Sequence, residues 1–98
     1  MGKILSLLLV SFILIAGCSF YIPKEEMMMA ETALKGAKEA QADTLAPTYF
    51  QQANETFRLA QRAFQEREYD LAQRLALKAK RLAEQAENKA VLKKEGGE

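Results

Sequence analysis

Phenylalanine recurs every seven residues as Phe50, Phe57 and Phe64, with Ala53 and Ala60 between. A second apolar ladder follows, formed by Ala72, Ala76, Ala79, Ala83, Ala86 and Ala90. Both have the spacing of one helical face. If the two segments fold back around residues 67–68, antiparallel neighbours have numbers summing to about 136. Phe64 then meets Ala72, Phe57 meets Ala79 and Phe50 meets Ala86. Large residues opposite small ones, in a shared seven-residue repeat, suit close knobs-into-holes packing. The pattern restricts the chain to an all-α fold. It also places Phe57 in the core, where truncation to alanine costs about 3–5 kcal/mol.

The rest of the chain divides at its two prolines. Pro23 suits a first helical turn, with Glu25 and Glu26 at the positive end of the helix dipole. Met27, Ala30, Leu34 and Ala37 then recur at helical spacing, beside Ala33 and Ala40, with Glu31 and Lys35 as an i,i+4 pair. Asp43-Thr44-Leu45-Ala46-Pro47 reads as a break, because a residue before proline is pushed out of the α region. Helices are therefore expected over about 24–44, 47–66 and 69–94, within a domain covering 23–92. The polar tail 93–98 is expected to fray. Leu71, Leu75 and Leu82 flank the last alanine face and need cover from the first helix. That requirement favours a small antiparallel three-helix bundle; a helical hairpin is the alternative. Gly36 lowers helix propensity by about 1 kcal/mol relative to alanine. It marks either a close approach or a tolerated interruption.

Composition excludes several chemistries. The chain has no histidine, no tryptophan and one cysteine. Imidazole catalysis and thiolate or imidazole metal sites lack their residues, so no catalytic residue, metal ligand or cofactor is expected. Removing a leader that contains Lys3 leaves thirteen basic and thirteen acidic side chains. Nucleic acid is not an expected partner, since it demands a basic excess. The carboxylates alternate with lysines and arginines, as on a solvated helix surface.

The first eighteen residues run from a basic start at Lys3, through an apolar stretch Ile4–Ala16, to Gly17 and Cys18. That order is the pattern of a secretory signal. Its thirteen residues make about 20 Å of helix, short of the ~30 Å hydrocarbon core. Ile15-Ala16-Gly17-Cys18 resembles the lipobox of bacterial lipoprotein precursors. The resemblance implies cleavage between Gly17 and Cys18, leaving 1–17 as signal peptide. It also implies acylation of Cys18, and hence a membrane partner held through acyl chains. Ser19, rather than aspartate, implies sorting to the periplasmic face of the outer membrane. Residues 18–22 form a tether of at most about 17 Å. Its Phe20, Tyr21 and Ile22 suit a membrane interface.

Residues 23–90 resemble a family of small bacterial envelope lipoproteins whose shared domain has no assigned function. The matching features are Pro23, Met27, Ala30-Glu31, Ala33-Leu34 and Ala37 on the first helix. Further on come Ala46-Pro47 with an aromatic pair, Ala53, Ala60, Ala63, Glu68-Tyr69, Ala72 and the last alanine ladder. That family usually has glycine near the second turn, where this chain has Arg67. Ala60, Phe64, Tyr69, Asp70 and Ala72 are also similar to positions of one tetratricopeptide unit, though arrays need about three. The chain differs from the trimeric coiled-coil lipoprotein joined to peptidoglycan by a terminal lysine. It ends in Glu98, carries Pro23 and Pro47, and has no continuous heptad run, so covalent linkage is not expected.

Met27-Met28-Met29 cannot all face one core, so at least one points outward. Methionine suits adaptable binding surfaces. These three are the candidate partner-binding residues, against the plainer reading of two in the core and one on the surface. Two functions follow from the sequence. One is a membrane-anchored, non-enzymatic structural or assembly lipoprotein of the cell envelope, whose partner is another envelope protein or a second copy. The alternative is a periplasmic tetratricopeptide-like module taking a peptide or hydrophobic ligand.

Overall fold

The computed structural model describes residues 2–16 and 21–96 and is all-helical, with no strand among the described residues. Five helices follow in order: α1 Gly2–Ala16, α2 Lys24–Glu39, α3 Ala42–Leu45, α4 Pro47–Gln65 and α5 Tyr69–Glu95. The molecule is elongated, 79 × 22 × 14 Å. Among the described residues α1 touches no other helix.

The long α5 is the spine, packing along both α4 and α2, while α2 and α4 meet each other less. One apolar cluster gathers Met27 and Ala30 of α2 with Phe57 and Ala60 of α4 and Leu75, Ala76 and Ala79 of α5. The other brings Ala37 together with Ala53 and with Ala83, Ala86 and Ala90. Residue numbers rise together along α2 and α5 and fall along α4. So α2 runs parallel to α5, and α4 runs against both.

Thirteen alanines are buried among the described residues, and the largest fully buried side chain is Pro23. Ala60 and Ala76 share one cluster, and Ala46, Ala53, Ala83 and Ala90 share the other. Paired as Ala60 with Ala76, Ala53 with Ala83 and Ala46 with Ala90, their numbers again sum to 136. In this register the alanine pairs alternate with the expected phenylalanine-to-alanine layers. Phe57 shares its cluster with Ala79, and Phe50 packs on the one holding Ala86. The phenylalanines were expected as the core itself. Instead Phe50, Phe57 and Phe64 are half-buried, because alanines already occupy the seam and leave the rings to straddle its edge. Phe64 meets Tyr69 edge-on at 5.6 Å, across the turn. The leucine flank is only partly covered: Leu75 and Leu82 are half-buried and Leu71 is exposed.

Two turns depart from the sequence reading. The first long helix stops at Glu39 rather than near residue 44, because Gln41 takes a left-handed conformation (φ 64°). The short α3 fills the interval before Pro47. The second turn carries Arg67 at φ 63°. Its amide bonds the Phe64 carbonyl at 3.1 Å, and the Glu68 amide bonds the Ala63 carbonyl at 2.8 Å. This is a Schellman close, whose left-handed residue is usually glycine. At the other end α5 continues to Glu95, past the point where the tail was expected to begin. There the Lys93 ammonium donates to the Leu45 carbonyl, and Lys89 sits 5.0 Å from the centre of the Tyr49 ring.

Three outcomes follow for thermal melts of the helical domain. Arg67→Gly relieves left-handed strain and raises stability by about 0.5–1 kcal/mol; a lowered melting temperature would count against the turn geometry. Phe57→Ala removes a half-buried ring, so its cost falls to about 2 kcal/mol, roughly half the figure for a full core ring. Ala83→Leu overpacks the seam and costs a comparable amount, about 1–3 kcal/mol. An Ala83→Leu variant as stable as wild type would show that the seam has room to spare.

Candidate functional site: an apolar groove between α2 and α5

Between α2 and α5 lies an open groove of about 670 Å³. Its floor comes from α2, as Met28, Met29, Ala33 and Gly36, with Thr32 beside them. Its rim carries Glu25 from α2 and Lys80, Glu84 and Glu87 from α5. The Lys80 ammonium and Glu84 carboxylate form an i,i+4 ion pair at 2.6 Å. Both side chains are partly exposed, so the pair contributes only a few tenths of a kcal/mol.

The methionine run splits. Met27 packs into the core cluster, while Met28 is 66% exposed and Met29 41% exposed on the groove. Two of the three therefore face outward, and Met27 does not belong to the candidate site. The helical turn explains this: Met27 stands three residues before Ala30 and seven before Leu34, so it shares the buried stripe. Gly36 admits no close helix approach. A methyl group there would meet only the Glu87 carboxylate, at 3.3 Å, which is the far end of a flexible side chain. What glycine does is leave the groove floor open. The rim residues Lys80, Glu84 and Glu87 escaped sequence reading, because nothing in the sequence says which side of α5 receives α2.

Gly17 and Cys18, the expected cleavage and lipidation residues, lie outside the described residues, as do Ser19 and Phe20. The described part of the tether is anchored to α2. The Tyr21 hydroxyl donates to the Glu26 carboxylate at 2.8 Å, and this bond holds the phenol above its ordinary value of 10. Tyr21 and Ile22 remain exposed beside buried Pro23.

Among the described residues no polar or charged side chain is buried, and no group of His, Cys, Asp or Glu is placed to hold a metal. No helix among them is long and apolar enough to cross a membrane. The result is a small helical module with an alanine interior, a charged exterior and a largely apolar groove between α2 and α5. The chain belongs to the family described as a domain of unknown function (DUF4398), whose model matches residues 25–97. No curated protein and no solved structure matches it.

Gly36→Ala should raise helical stability by about 0.5–1 kcal/mol, since the glycine supports no tight contact. Chemical denaturation measures it; a destabilised variant would mean that Gly36 is needed for packing.

Proposed function

We propose that this protein is a lipid-anchored, non-enzymatic structural or assembly module of the bacterial envelope. In this reading residues 1–17 are removed as signal peptide and Cys18 carries the acyl chains. The helical domain then stands on the periplasmic face of the outer membrane. One chain inserts only marginally, whereas two or three hold firmly, at about 0.8 kcal/mol per buried methylene. The three long helices act as one bundle, and the α2–α5 groove receives a helical segment of an envelope component.

The observation that supports this most is the division of the chain into two parts that do not touch. One is α1, whose Ile4, Leu5, Leu7, Leu8 and Leu9 are all exposed. The other is a charged-surfaced domain that begins at Pro23, five residues after Cys18. An apolar helix unused by the fold suits a leader that is removed. Its fifteen residues make about 22 Å, which is short for a span. The apolar lining of the groove also favours the second reading, uptake of a peptide or hydrophobic ligand.

Cys18→Ser tests the anchor in a bacterial host. Wild-type protein should fractionate with membranes, with an intact mass equal to the chain from Cys18 plus acyl groups. The variant should lose both properties. A wild-type mass that retains residues 1–17, or a free Cys18 thiol, contradicts the reading.

A further inference from the structure

We infer that the occupant of the α2–α5 groove is a second copy of this chain, which presents the outer face of its own α5, so that anchored copies associate side by side. This inference rests on the lipid-anchored reading above.

The two surfaces are opposite in charge, and both carry apolar side chains. Glu25, Glu84 and Glu87 edge the groove. Among the described residues lining it the one cation is Lys80, already paired with Glu84. Away from the groove, a hollow on α5 is lined by Leu71, Leu75 and Leu77 together with Arg74, Lys78 and Arg81, without an acidic residue. These cations stand at i, i+4 and i+7, all are exposed, and none is in a salt bridge among the described residues. Like charges at that spacing disfavour an isolated helix. The whole chain carries a net charge of only +1, so the charge is segregated locally, acid on one flank of α5 and base on another. Complementary faces of this kind steer and orient association.

The anchor supplies the register. Because α2 and α5 run parallel, the tethered end of α2 lies beside the start of α5. Two copies anchored in one bilayer therefore hold their α5 helices at equal height. Arg74, Lys78 and Arg81 of one then stand level with the methionine floor and the lower rim of the other. The contact joins two different surfaces, so it is heterologous. Repeated about an axis along the membrane normal, it closes a ring or extends a row.

The test uses the full chain expressed in bacteria, in two variants, Met29→Cys and Lys78→Cys, separately and together. Membranes are treated with a short thiol crosslinker. The inference expects a crosslinked dimer when both variants are co-expressed and almost none from either alone. Adding Arg74→Glu should abolish that dimer, and combining Arg74→Glu with Glu25→Lys should restore it. Equal dimer from one variant alone would indicate a symmetric contact and overturn the inference. So would no dimer from membrane-retained protein, or a groove thiol captured only by another protein or shielded by a co-purified lipid. Membrane fractionation of the same samples separates the two claims. Loss of retention defeats the anchor, whereas retention without crosslinking defeats only self-association.

Discussion

Contact between alanine methyl groups along the α4–α5 seam sets the spacing of the helices, and the other features follow from it. With Ala53, Ala60, Ala76, Ala83 and Ala90 all fully buried, no side chain larger than a methyl group separates the backbones there. Helix axes then approach toward the short end of the usual 8–10 Å range. Such a seam gains little per residue from transfer out of water, since one methyl group contributes only about 0.8 kcal/mol. What it gains comes from close backbone packing over many turns. α5, with 27 residues, is long enough to supply them.

A thin interior leaves larger apolar groups at its edges. Phe50, Phe57 and Phe64 straddle the seam instead of filling it, Leu71 is exposed, and Met28 and Met29 line a groove. Domains of this size bury a small fraction of their surface and rely on staples or association. With one cysteine in the chain, no internal disulfide is possible. The same alanine packing that allows α2, α4 and α5 to run close together therefore leaves an apolar surface that a partner can cover. Fold and proposed function meet at that point.

Much of this was legible in the sequence. The seven-residue repeats of phenylalanine and alanine marked two helices and their antiparallel register, and Pro23 and Pro47 lie at the starts of α2 and α4. The rings of Phe50, Phe57 and Phe64 differ from that pattern, half-buried at the edge of the seam instead of filling the core. Ala60 with Ala76 and Ala53 with Ala83 follow the same register as the phenylalanine pairs, so periodicity alone does not say which set fills the seam. The left-handed Gln41 carries no sequence signal, since glutamine has no preference for that conformation. Arg67 did carry one, because the resembled family places glycine near that turn. The groove was half visible. Three consecutive methionines had to leave one outside, yet the partners across the groove depend on how α2 sits on α5, which periodicity does not report.

The alanine seam can be tested most directly by a disulfide across it. A disulfide closes only when Cα atoms lie about 4.4–6.8 Å apart. In a Cys18→Ser background, Ala53→Cys combined with Ala83→Cys should oxidise spontaneously to an intramolecular bond while the chain stays helical. Ala53→Cys combined with Ala76→Cys, about two helical turns out of register, should keep both thiols free. A folded first variant with two free thiols, or equal closure of both pairs, would contradict alanine-to-alanine contact in this register.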